Sequence, residues 1–187
     1  MSGPGLDIAA NRAARKWSAA ELAGRALWEC LGFAFAWSPR QLWAWRNLML
    51  RAFGAQIGPG VRIHPSVRIA VPWNLAAGRN SAVGDRAVLY NLGRITLGAN
   101  VTVSQHAHLC AGTHDHRRAD LPLVKAEIRV GDGAWICADA FVGPDVSIGD
   151  HAIVAARAVA VRNVEPWTIV AGNPARLVGP RPPLDAP

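Results

Sequence analysis

At 187 residues, 51% of them hydrophobic, the chain suffices for one folded domain with its own core. Twenty Lys and Arg against 13 Asp and Glu give a net charge of +7. The cations of the first 54 residues are mostly spread singly, as in Arg12, Arg15, Lys16, Arg25, Arg40, Arg46 and Arg51, and no basic stripe is interleaved with aromatic residues. That excludes a nucleic-acid partner in favour of an anionic small ligand or an acidic membrane surface.

Three cysteines without paired spacing, and an N-terminus without an apolar stretch and cleavage site, predict a reduced, cytoplasmic protein with no secretory leader. Residues 1–17 are polar and expected to be loosely ordered. Residues 18–54 read as a helical cap. Ser18 with Glu21 three places on is a capping box, and Leu22, Ala26 or Leu27, Cys30, Leu31 and Ala34 follow at helical spacing to about Trp37. Ser38-Pro39 interrupts, and a second helix carries Leu42, Trp45, Leu48, Met49 and Phe53 to Gly54. Five of the eight tryptophans precede Gly54. Two readings stay open: helices covering the end or side of the following domain, or an interfacial helix on the inner membrane leaflet with Trp at headgroup depth. The apolar run Ala26 to Trp37 is too short to span a bilayer.

Residues 55–178 carry a period of six. The period is clearest from Val130 to Glu165, where every sixth position is Val130, Ile136, Val142, Ile148, Val154 and Ala160, and the fifth places hold Ala134, Ala140, Val146, Ala152, Ala158 and Val164. A period of six is neither helical nor alternating. It reads as a short strand and a corner repeated, the pattern of a parallel β-helix in which three units close one coil and aliphatic residues stack three units apart. Earlier repeats begin at Ile57, Ile63, Ile69 and Leu75, slip by two, resume at Val83, slip again and resume at Leu97, Val103 and Leu109. Slips are corner insertions. The largest is the polar stretch 114–127, HDHRRADLPLVKAE, the expected seat of function. A closing strand follows Trp167, and residues 179–187, Pro-rich, are expected to be disordered.

Four histidines, His106, His108, His114 and His116, crowd beside Cys110 and Asp115. Such residues can ligate zinc, though their spacing matches no closed zinc site. Alternatively one histidine at the foot of the excursion is a general base.

The segment Leu109-Cys110-Ala111-Gly112-Thr113-His114-Asp115-His116, the array Val130 to Glu165 and the ending Trp167 to Arg176 together resemble the hexapeptide acyltransferases, most of all the colanic acid and exopolysaccharide acetyltransferases. The resemblance covers about residues 45 to 179. It implies an all-β solenoid, a left-handed parallel β-helix of hexapeptide repeats with N-terminal α-helices, a homotrimer, and acetyl-CoA as donor to a sugar, free or lipid- or nucleotide-linked, with no metal. It implies His114 as catalytic base, with Asp115 and Asp85 as catalytic partners and Asn91 and His116 towards the acceptor. An Asn that assists the family histidine aligns near Arg86, which cannot do that work. For the coenzyme it implies Trp135, Ala138, Ala156, Val161, Arg162 and Arg176. The two arginines suit its phosphates, while Val161-Arg162 replaces the family's usual Thr-Lys, losing a hydroxyl and keeping a charge. A zinc enzyme of the γ-type carbonic anhydrase kind and an inert β-helix scaffold remain as other readings.

Overall fold

The computed structural model describes residues 5–185. Its body is a parallel solenoid of three sheets. The first face contains Gln56–Ile57, Leu75–Ala77, Ile95–Leu97, Ile128–Val130 and Ser147–Ile148; the third contains Arg68–Ile69, Val88–Tyr90, His108–Cys110, Phe141–Val142 and Val159–Ala160. The second lies between them in chain order and ends in Thr168–Ala171, against which Arg176–Pro180 folds back antiparallel. Val130 pairs with Ile148, Ile136 with Val154 and Val142 with Ala160. These are the three-unit partners that the sequence period predicts, and Ile136, Val142, Val154 and Ala158 are fully buried.

The corners explain the rest of the repeat. Asp139, Asp145, His151 and Arg157, each just before a fifth-place residue, have φ of 57–59°. That left-handed residue turns the chain, and the small side chain after it fits the narrow interior. The corner from the third face to the first is the one that is enlarged. It holds the 3₁₀ turn Pro72–Asn74, then residues 91–94, then the excursion. Ile57 therefore pairs with Ala77 rather than Leu75, and the first slip precedes Leu75 instead of following it.

Helix α2 (Ala19–Ala36) and helix α3 (Trp43–Ala52) close the N-terminal end. Many N–H groups of one coil donate to carbonyls of the next, as Gly58 N to Ala77 O and His64 N to Val83 O, while corner residues donate back, as Asn80 N to Pro59 O. The first coil is thus left with carbonyls facing the end, and buried carbonyls need donors. The helices supply them. Arg51 Nε donates to Ile57 O at 3.0 Å, Asn47 Nδ2 to Val61 O at 2.8 Å, Arg46 Nε to Ile63 O at 2.8 Å and Trp28 Nε1 to Ile69 O at 2.9 Å.

Both termini are more structured than their composition suggests. Helix α1 (Ile8–Ala13) lies within the stretch read as loosely ordered, N-capped by Asp7. At the other end Arg181 donates to the carbonyls of Gly133 and His151, so order extends past residue 179. The rest of the tail, 182–185, has no regular structure, and 186–187 lie outside the described residues.

Candidate active site

The excursion is a hairpin rather than a plain loop. Thr113–His114 pairs antiparallel with Leu123–Val124, His114 opposite Leu123. Its return is fixed by Gly93, where any Cβ would overlap the Ala126 carbonyl. His114 is exposed, and its Nδ1 lies 2.6 Å from Leu121 O. A carbonyl oxygen only accepts, so Nδ1 carries the proton and Nε2 keeps a free lone pair. Leu121 has a φ of +41°, rare for a branched side chain, and its carbonyl is held in place from outside the hairpin. Asn11 on α1 donates through Nδ2 to Leu121 O at 2.5 Å and to Asp120 O at 2.7 Å, while Asp7 N donates to Ala119 O at 2.8 Å. Lys16 Nζ reaches Asn11 Oδ1 at 2.7 Å. On the return strand Lys125 bonds Glu21 at 3.2 Å and sits 3.7 Å from the centre of the Trp17 ring. The N-terminal segment is therefore a clasp on the hairpin that carries His114. Nothing in the sequence marks this, because the partners lie about a hundred residues apart.

The other predicted residues disperse. Asp115 accepts from Arg117 N and Nε at 3.1 and 3.0 Å, and that hydrogen bonding holds its carboxyl below the usual range. It does not orient His114; the Leu121 carbonyl does. His116 is exposed in the same turn. Asn91, expected at the acceptor, is fully buried, with Oδ1 accepting from Val71 N at 2.9 Å and Nδ2 donating to Val71 O at 2.6 Å. The enlarged corner leaves these backbone groups without a strand partner, and the amide satisfies both, so Asn91 is structural. Asp85 lies at a different corner, from the second face to the third. There it accepts from Ser66 Oγ, with His64 Nδ1 at 3.3 Å; the Ser66 bond, and more weakly His64, Arg86 and His106, keep its carboxyl low. Within one chain it is not beside His114. The four histidines likewise part company, since His106 is at a corner, His108 on the third face and His114 and His116 on the hairpin. Among the described residues no three His, Cys, Asp or Glu side chains converge.

Of the residues expected at the coenzyme, Val161, Arg162 and Arg176 share one open recess of about 220 Å³ with Thr168 and Leu177. Ala138 and Ala156 sit instead at the corner that carries Asp85, and Trp135, on the second face, donates through Nε1 to Ser104 Oγ at 2.8 Å. The residues expected at the site therefore fall on two separate edges of one chain.

Residues 127–160 match the family model for bacterial transferase hexapeptide (six repeats). WcaF of Escherichia coli (strain K12), assigned to colanic acid biosynthesis as an acetyltransferase, is 42% identical over 154 residues, covering 82% of this chain and 85% of that one. Nodulation protein L of Rhizobium meliloti (strain 1021) is 31% identical, over 71% of this chain and 74% of its own. Among solved structures, the hexapeptide-repeat acetyltransferase VCA0836 of Vibrio cholerae, complexed with acetyl coenzyme A, superposes with a TM-score of 0.80 at 24% identity, covering 90% of this chain and 93% of that one. The fold is that of the left-handed β-helix enzymes. With 42% identity across most of both sequences on that fold, the protein belongs to the hexapeptide-repeat acetyltransferases.

Proposed function

We propose that the protein transfers the acetyl group of acetyl-CoA to a sugar hydroxyl, with His114 as general base, in the assembly of a cell-surface or exported polysaccharide. The observation that carries this is the His114–Leu121 hydrogen bond, which leaves Nε2 free to take the proton from the attacking hydroxyl. As that oxygen attacks the thioester carbonyl, the proton passes to Nε2, the C–S bond breaks and the CoA thiolate leaves, so no acyl-enzyme is required. Arg162 and Arg176 are the cations that would hold the phosphates of the donor, and Val161 lines the same recess. His116 is the neighbouring polar group for the acceptor.

The reading includes a homotrimer. His114 and Arg162 belong to one edge of the prism, Asp85, Ala138 and Ala156 to another, and the edge of one copy against the neighbour's completes the site. The acceptor is a free, nucleotide-linked or lipid-linked sugar, and the reaction is placed in the cytoplasm, where the donor is available. The test is transfer of labelled acetyl from acetyl-CoA to a panel of such sugars, native protein against His114→Ala, with oligomeric state and CoA-induced thermal shift measured on both. A fall in kcat of about 10²–10⁴ with CoA binding retained supports the base. Equal rates would remove His114 from the chemistry, and failure to label any sugar would refute the acceptor class.

A further inference from the structure

The cap that closes the N-terminal end has a second side. On α2, Trp28 and Phe35 face the solenoid and are buried, and Gly24 lies against the Trp73 ring. The charged residues Glu21, Arg25 and Glu29, at i, i+4 and i+8, form a single stripe beside them. The remaining half of the helix surface is apolar and faces outward. Leu22 is 54% exposed, Phe33 63% and Trp37 87%; on α3, Trp45 and Leu48 continue the patch at 43% and 58%. A helix that is apolar towards both the core and the solvent belongs in a second apolar medium.

The charge of the same segment selects the medium. Residues 1–54 hold seven of the chain's 20 Lys and Arg but three of its 13 Asp and Glu, so a net +4 of the total +7 falls in less than a third of the chain. Arg40, exposed, follows close after Trp37 at the end of the patch. Of the segment's cations Arg46 is buried and Arg51 is bonded to Ile57 O, so the exposed charge at the patch is Arg40. Outward leucine and phenylalanine, tryptophan at the margin and an exposed arginine in a net-positive segment are the pattern of a surface lying at the headgroup level of an anionic bilayer. No described helix is long and apolar enough to cross a membrane, which leaves contact in the plane of the surface.

We infer that the α2–α3 cap docks on an anionic lipid bilayer, its Leu22–Phe33–Trp37 side entering the headgroup region. The cap covers one end of the solenoid, and its first turn reaches the return strand of the His114 hairpin through Glu21 and Lys125, so docking by the cap brings the hairpin close to the surface. In a trimer of parallel solenoids, three caps face the same surface. Resting on the proposed function, this geometry suits an acceptor sugar carried on a membrane lipid.

The experiment is flotation of the full chain with vesicles of pure phosphatidylglycerol or pure phosphatidylcholine, for native protein, Phe33→Ser/Trp37→Ser and, on the other helix, Leu48→Ser. Secondary structure and sedimentation velocity are recorded for each. The expected result is flotation with phosphatidylglycerol, loss of it in high salt, little with phosphatidylcholine, and partition weakened by about tenfold or more in the double variant. Native protein remaining in the aqueous fraction with phosphatidylglycerol overturns the inference, as does undiminished flotation of both folded variants. A double variant that drops to a smaller oligomer overturns it too, since the patch is then covered by a second copy. Flotation needs no catalysis, and acetyl transfer to soluble sugars without vesicles is scored separately, so the docking and the proposed activity fail independently.

Discussion

Replacing Asn11 with Ala removes two donors from the carbonyls of Asp120 and Leu121, at 2.7 and 2.5 Å, without touching the hairpin itself. At about 1 kcal/mol net for each bond the loss is about 2 kcal/mol, or about 30-fold in the local opening constant of the hairpin. Leu121 is already in a left-handed conformation that leucine disfavours by about 1–3 kcal/mol, so the freed segment relaxes and its carbonyl turns from His114 Nδ1. Amide hydrogen exchange reports this directly at Leu121, which donates to Arg118 O, and at Asp115, which donates to Pro122 O. Both amides are expected to exchange faster by about that factor, while amides of the buried ladder, such as Ile136, stay unchanged. The kcat for acetyl transfer is expected to fall by about tenfold with little change in KM for acetyl-CoA, because Arg162 and Arg176 line a recess that holds no residue of the clasp. Unchanged exchange at Leu121 and Asp115 would refute the clasp, and faster exchange with unchanged kcat would refute its part in positioning His114.

Arg46 is fully buried without a carboxylate, its guanidinium spread over Ile63 O, Ser38 Oγ, Pro39 O and Arg40 O. Arg46→Met should lower stability by about 3 kcal/mol, read as a fall in Tm of about 10 °C, and Arg46→Lys should recover less than half because an ammonium cannot serve both ends. A Met variant within about 1 kcal/mol of native in urea unfolding would show that the cap does not depend on these bonds. His108 packs edge-on against Phe141 with Nε2 buried and without a partner; burial, then the Arg68 charge, push its pKa below the usual 6.5. The unfolded chain therefore takes the proton first, and this contribution to stability is complete above 6.5 and declines as the pH falls towards the lower folded value. Urea midpoints at about pH 7.5 and 5.5 should differ less for His108→Gln than for native protein; an equal difference would contradict the assignment.

The array from Val130 to Glu165 was fully legible, because a six-residue period with stacked aliphatic and small residues has one solution in which every third unit meets its like. Register, coil closure and the ladder Val130–Ile148, Ile136–Val154 and Val142–Ala160 follow from that periodicity alone. The excursion was equally visible as a break in period. Handedness was not in the period and came from likeness to relatives. The roles of polar residues at the enlarged corner depend on which groups the insertions place beside them: Asn91, expected at the acceptor, serves Val71, and Asp115, expected as a catalytic partner, serves Arg117. The Leu121 carbonyl that fixes the tautomer of His114, and the Asn11 amide that steadies it, are long-range hydrogen bonds with no local pattern. Short-range order is written in spacing, whereas contacts across about a hundred residues exist only once the chain has closed on itself.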